Sequence, residues 1–295
     1  MKQVLINLQT KDYEHPLDRQ TLDIVKKLPG IGTAANFVLN WVVVKRQIIS
    51  MCGSNFHVTS SACPTLSKSS SDVFRILDLN HKPELYIYQD FYINAYTTGH
   101  EQDAFIVLSS GGVDRLTKDE LEFVIGHEAG HIKSGHVLYH LITTNLAALI
   151  PNIPYLSWGI KGALYKWNRV SEFTADRAGL LACQDLNVAL SAIMKMSGLP
   201  ERYYETASIE GFKQQAREFQ DKYGSTSDQL MKFLEIFDED HPWTVLRAAE
   251  LIRWVESGEY DRILKKTEGK VCPKCKKEIA EDLLVCPICG YKFES

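Results

Sequence analysis

The sequence predicts an α+β fold, mainly helical with one small β-sheet and a separate metal-binding module near its C-terminal end. Three observations predict it. From Glu84, the segments ELYIYQ, FYINAYT and AFIVLSS are rich in Tyr, Ile, Val and Phe and are separated by polar or Gly-containing turns, the pattern of short strands. At Thr117 the pattern becomes helical. TKDE is a capping box, in which the threonine and the glutamate three residues on satisfy orphan backbone N–H groups, and its acids favour the positive end of the helix dipole. Further on, Cys272, Cys275, Cys286 and Cys289 form two C-x2-C pairs, a metal-ligand spacing.

Taken in order, residues 1–80 read as a helical N-terminal part. Within it the apolar run FVLNWVVV is stopped by Lys45 and Arg46 well before membrane length, and reads as a buried helix or strand. The sheet and the helices around the polar motif GHEAGHIKSGH then occupy 81–260. Residues 134–160 carry no Asp, Glu, Lys or Arg, in principle enough to cross a bilayer that needs about 20 residues. His136, His140, Asn145 and Asn152 interrupt this run and Pro151 and Pro154 break it, which argues against a transmembrane span. The expectation is a buried helix plus an amphipathic piece near the site, with membrane contact through 137–160 left open. A second helix is expected from about Val170 and further helices to about Glu256. The charged segment DRILKKTEGK, 261–270, then reads as a linker to the module at 271–295.

Composition narrows the function classes. A net charge of −4 gives no basic surface for nucleic acid. The N-terminal stretch MKQVLINLQTKDYEHPLDRQ has neither the apolar core nor the small-residue cleavage site of a signal peptide, so the chain is expected to be cytoplasmic, at most peripheral to a membrane. Besides the paired cysteines, Cys52, Cys63 and Cys183 are scattered and odd in number, as expected of free thiols in a reducing compartment. Their default role is that of small buried apolar residues.

His127 and His131 stand four residues apart, so a helix projects both imidazoles from one face, where they can reach a single zinc ion. Glu128 points beside that face and reaches a metal-activated water without occupying a ligand position: the H-E-x-x-H arrangement. A third ligand is required. His136 lies at the wrong offset for the H-E-x-x-H-x-x-G-x-x-H pattern and is read as a structural or outer residue. In NRVSEFTADRAG, Glu172 and Asp176 share a helix face. Glu172 could complete a His, His, Glu set, and Asp176 could accept the free N–H of a ligand histidine. The small residues Ala175, Ala178 and Gly179 would let this helix cross the first one closely.

HEAGH followed by EFTAD, together with NAYTTG at Asn94–Gly99, SGGVDRLTKDELEFVIGHEAGH and HPWTVLRAAEL, resembles the family of zinc metalloendopeptidases that includes HtpX and the CAAX prenyl proteases. The resemblance spans roughly residues 55–255. It implies a zincin-like metallopeptidase domain over 1–260, zinc on His127, His131 and Glu172, and Glu128 as general base and then general acid in peptide-bond hydrolysis. It further implies His241 or Arg247 as donors to the developing oxyanion. An extended protein or peptide substrate would add as a strand along Asn94, Ala95, Tyr96 and Thr97, and quality control of proteins is the implied setting. HtpX-like members carry transmembrane helices around these motifs, whereas here the broken run is their one counterpart.

The cysteine quartet can wrap four thiolates around one zinc, and a segment this short has almost no core without a metal. It resembles a zinc ribbon, with iron as the second reading. Two zinc ions are therefore expected, one catalytic and one structural. The ribbon has no basic excess and is read as a docking module for a protein partner. A different class of function stays open: a ribbon-led binding or regulatory protein on a non-catalytic, protease-like scaffold.

Overall fold

Two long helices dominate the computed structural model, which describes residues 2–28, 31, 42–100, 103–149, 154–222, 243–266, 269–276, 278–280 and 283–293. The first is the motif helix. To number it in order, the chain opens with α1 (Thr10–Tyr13), α2 (Pro16–Lys26) and α3 (Val42–Ser54). There follow β1 (Phe56–Val58), α4 (Pro64–Ile76), β2 (Glu84–Tyr88), β3 (Ala95–His100), β4 (Asp103–Ser109), α5 (Ser110–Arg115) and the motif helix α6 (Lys118–Lys133). Next come α7 (Val137–Leu149), the long α8 (Pro154–Cys183), α9 (Leu186–Met196), α10 (Ile209–Lys222), α11 (Thr244–Glu256) and α12 (Glu259–Lys266). A two-stranded sheet, β5 (Gly269–Val271) with β6 (Glu278–Ala280), follows.

The sheet runs in the order β1-β2-β4-β3. Strand β4 is central and buried from Ala104 to Ser109, pairing parallel with β2 and antiparallel with β3. Among the described residues, strand β3 is thus an edge of this sheet. Gly99 shapes its end: its φ of +103° and a would-be Cβ only 2.3 Å from the Asp103 carbonyl admit no side chain. β1 was not expected from the sequence, and the expected strand FYINAYT begins only at Ala95, since Phe91–Asn94 are irregular and the Tyr92 N–H bonds the Asp90 side chain instead of a strand partner.

Helix α6 starts where TKDE predicts. The Thr117 side chain accepts from the Glu120 N–H, and the Glu120 carboxylate accepts from the Thr117 N–H at 2.7 Å. Glu120 also pairs with buried Lys195 of α9 at 2.6 Å, tying the start of α6 to the core. The helix ends in a Schellman turn: Gly135, at φ +69°, lets the His136 N–H bond the His131 carbonyl at 3.0 Å and the Gly135 N–H bond that of Ile132 at 3.1 Å.

Helices α6 and α8 pack so closely that glycine is needed at the crossing. A Cβ on Gly126 would lie 2.4 Å from the Ala182 Cβ, and one on Gly130 would lie 2.6 Å from the Ala178 Cβ. Side chains of ordinary size would hold the helices apart; small ones bring the polar faces of both into contact. The helix expected from Val170 in fact begins at Pro154. Within the apolar run, Val137, Leu141 and Ile142 of α7 are buried and pack with Leu22 and Val25 of α2 and with Leu164 and Trp167 of α8. Among the described residues no helix is long and apolar enough to cross a membrane.

The segment expected as a linker is, in its first half, helix. In α12, Tyr260 and Ile263 are buried in the main core, and the Leu264 carbonyl accepts from the Gln3 side chain at 2.8 Å. Residues 2–28, for their part, contact the end of α6 and the later turns of α8. Thr10 donates to the Lys133 carbonyl, Tyr13 meets Ser134 at 3.1 Å, and Arg177 donates to the carbonyls of Tyr13 and Glu14 at 3.2 Å each.

Candidate active site

His127 and His131 on α6 face Glu172 on α8, all three buried. His127 Nε2 lies 3.2 Å from His131 Nε2 and 3.4 Å from Glu172 Oε2, and His131 Nε2 lies 3.2 Å from Glu172 Oε1. Ligands bound tetrahedrally to zinc at 2.0–2.1 Å stand about 3.3 Å from one another. The two imidazole nitrogens have the spacing one zinc ion imposes, each lies within 3.4 Å of a different oxygen of Glu172, and two imidazoles with one carboxylate suit zinc chemically.

Each histidine is held from behind. His127 Nδ1 lies 2.9 Å from Asp176 Oδ1, which leaves Nε2 facing the donor cluster. Asp176 is clamped by Arg247, whose Nε and terminal nitrogen donate to the two carboxylate oxygens at 2.8 and 2.6 Å. Two nitrogens of Arg247 are thus engaged by Asp176, which places the guanidinium behind His127, and the same residue also lines a cavity that reaches Glu128 and Glu172. His131 Nδ1 lies 3.0 Å from His136 Nδ1. His136 in turn meets Asp18 of α2, Nε2 to Oδ2, at 3.0 Å. Asp18 was not foreseen. No local pattern marks it, because its partners are more than a hundred residues away.

The electrostatics follow from this shell. Burial works against charging His127, but Asp176 and Glu172 outweigh it and raise its pKa to about 10. Burial lowers the pKa of His131, with Glu172 opposing only in part. Asp176 is held below the ordinary carboxylate range because Arg247 and His127 overcome the penalty of its burial. Such an electron-rich pocket holds a proton tightly when no cation is there, and a metal ion would displace that proton.

Glu128 is buried beside this set, and the Thr97 hydroxyl of β3 donates to its Oε2 at 2.6 Å. The edge strand is thus bonded to the glutamate that adjoins His127. Asn94, Ala95, Tyr96 and Thr97 line a cleft of about 1040 Å³ that also exposes His127, Glu128, His131 and Glu172. The same cleft is lined further by Arg46 and Met51 from α3, Leu141 and Thr143 from α7 and Asn168 from α8. A second cavity of about 220 Å³ opens beneath the strand, lined by Ile93, Phe123, Val124 and Met196 and reaching the same His127, Glu128 and Glu172. His241 lies outside the described residues.

The cysteines Cys272, Cys275, Cys286 and Cys289 also converge. Sγ separations of 3.6 Å for Cys272–Cys289 and 3.7 Å for Cys275–Cys286 match the roughly 3.8 Å between thiolates bound tetrahedrally at about 2.3 Å. Burial raises the Cys272 thiol, but the backbone N–H groups of Cys275 and Lys274 outweigh it and bring its pKa down to about 6.

Comparison with known proteins agrees with this geometry. The sequence profile of peptidase family M48 matches residues 63–255. The chain is 28% identical over 269 residues to the plastoglobule-localized metallopeptidase 48, chloroplastic, of Arabidopsis thaliana, covering 90% of this chain and 78% of that protein. It is 33% identical over 143 residues to a protease HtpX homolog of Helicobacter pylori (strain Shi470), covering 45% of this chain and 46% of that protein. A protease HtpX homolog 2 of Methanosarcina mazei is 29% identical over 175 residues, 49% of this chain and 59% of that protein. Against these HtpX relatives the chain spans only about half their length. No solved structure gives a significant match.

Proposed function

Because the chain belongs to peptidase family M48 and is a metalloprotease acting on protein or peptide substrates, we propose that it is a zinc endopeptidase whose zinc is held by His127, His131 and Glu172, with Glu128 as general base and then general acid. The observation that carries this reading is Glu128, buried against the three-donor set and open to the cleft. A structural metal would have no use for it.

Zinc bound there supplies Lewis acidity, polarising a peptide carbonyl and activating water. Glu128 takes the proton of the attacking water and returns it to the leaving amine, so one carboxylate serves both halves of the reaction. Thr97 aims Glu128 through its hydroxyl. The edge position of β3 supports an extended substrate that adds as a further strand along Asn94–Thr97, a mode that reads backbone more than side chains. Broad sequence preference follows, which fits the removal of unfolded or damaged polypeptides in the cytoplasm. The apolar cavity beneath the strand, lined by Ile93, Phe123, Val124 and Met196, would take one substrate side chain.

The segment 271–295 acts in this reading as a zinc ribbon, with the four cysteines as ligands. Leu284 and Ile288 are 63% and 54% exposed, an apolar pair suited to docking a protein partner.

The test compares wild type with Glu128→Gln on an unfolded protein substrate, both shown to hold two zinc ions per chain. Wild type is expected to cleave, and the variant to be slower by at least about 10²–10⁴-fold. Equal rates would remove Glu128 from the chemistry. No cleavage by either would leave the cluster a structural site.

A further inference from the structure

The two ligand histidines are oriented by different means. His127 meets a carboxylate directly, whereas behind His131 stands a second histidine, and only behind that an acid, Asp18, from an N-terminal helix outside the stretch that matches the family. We propose that Asp18 is a positioning residue of the zinc site, which acts through His136 to fix the tautomer of His131 that binds the ion. This rests on the zinc reading given above.

The tautomers follow from the donor inventory. His131 Nε2 faces Glu172 and His127, so binding zinc there requires Nε2 to be bare and Nδ1 to carry the proton. That N–H points at His136 Nδ1, 3.0 Å away, which must then accept. His136 consequently carries its proton on Nε2, where Asp18 Oδ2 accepts it at 3.0 Å. A doubly protonated His136 would set N–H against N–H at the His131 end. A neutral His136 protonated on Nδ1 would do the same and leave Asp18 facing a lone pair. One arrangement satisfies every atom, and a carboxylate at position 18 selects it.

Asp18 is itself fully buried and built to be an acceptor on both oxygens. Trp167 Nε1 donates to Oδ1 at 2.9 Å, and Thr174 Oγ1 donates to Oδ2 at 2.6 Å, beside the bond from His136. The indole is the informative partner, because its N–H can only donate. In Asp18→Asn the amide oxygen must stay on Trp167, which forces the NH2 group toward His136. His136 would then have to accept on Nε2 and carry its proton on Nδ1, in conflict with His131. The shape of the site is kept and its polarity is reversed. Trp167→Phe removes that constraint: in the double variant the amide can turn, present its oxygen to His136 and restore the original direction.

The experiment measures zinc affinity of the full chain by competition with a chelator, along with the ring-nitrogen protonation of His131 and His136 by ¹⁵N NMR in the zinc-loaded protein. Wild type is expected to hold two zinc ions, with His131 protonated on Nδ1 and His136 on Nε2. Asp18→Asn should weaken one site by about 10–100-fold and leave the cysteine site unchanged, and Asp18→Asn with Trp167→Phe should regain part of that loss. A purely structural role predicts a double variant that binds no better than the single one. The proposal is overturned if Asp18→Asn binds zinc as tightly as wild type, if the double variant regains nothing, or if His136 in the wild type is protonated on Nδ1. The wild-type spectrum decides the matter even if the variants do not fold. A wild type that binds one zinc, on its cysteines alone, overturns instead the zinc reading on which the proposal stands.

Discussion

The histidine–glutamate site and the cysteine quartet both bring together side chains that could hold a metal ion, but by opposite means. The first is assembled by a core that exists without it: α6 and α8 cross on small residues and bury Phe123, Ile125, Leu180 and Leu181 around the polar cluster. Its donors are aimed by outer partners, Asp176 with Arg247 on one side and His136 with Asp18 on the other. The second has hardly any core. Its apolar cluster is the cysteines themselves plus Leu283, Tyr291 and Phe293. One site is preorganised by the fold and the other would be organised by its metal, so on the proposed reading an ion would have different work to do in each.

Metal removal should break the comparison most sharply. Chelation is expected to unfold segment 271–295 outright, seen as collapse of the Tyr291 and Phe293 NMR shifts, while the helices of the main domain keep their circular dichroism and amide protection. Retention of the module's dispersed spectrum without zinc would show that it folds unaided. Next in size is Arg247→Ala, which leaves the Asp176 carboxylate buried without its cation. Urea unfolding of the main domain should show a loss of about 3–5 kcal/mol, with the cysteine module unaffected. The pH dependence has a definite sign. The folded pKa of Asp176 is depressed, so its contribution is fully present above the unfolded value of about 3.9 and is lost as pH falls through the lower folded value. Removing Arg247 should therefore start acid unfolding at a higher pH. The smallest effect tests the crossing: Gly130→Ala, whose new methyl would meet Ala178, should cost about 1–3 kcal/mol and weaken zinc binding only at the histidine site.

What was legible in the sequence was what local spacing encodes. The capping box at Thr117, the i, i+4 pair of His127 and His131, and the small residues beside Glu172 each sit within one or two helical turns, and so did the paired cysteines. β1 escaped because three residues carry too little alternation to be recognised. Helix α12 had a usable signal, Tyr260, Ile263 and Leu264 at helical spacing, which its five Lys, Arg, Asp and Glu residues between 259 and 266 obscured. The start of α8 did carry a signal, Pro154 at its first position, but within the apolar run that proline read only as a break. The bond from Thr97 to Glu128 and the reach of Asp18 to His136 are products of the tertiary fold, and nothing near either residue announces them.

The embrace of the motif helix by the N-terminal residues also has a consequence in time. Asp18 finds Trp167 and Thr174 across 149 and 156 positions of chain, and contacts at such separations form late because the intervening loop must first close. On a ribosome, residue 18 emerges long before the histidines and long before Glu172. If Asp18 positions the metal site as proposed, that site would be completed only after most of the main domain has been synthesised and has folded back onto its own beginning. For a protease that would read unfolded backbone, its own nascent chain included, that order of events keeps the blade sheathed until its holder is no longer a substrate.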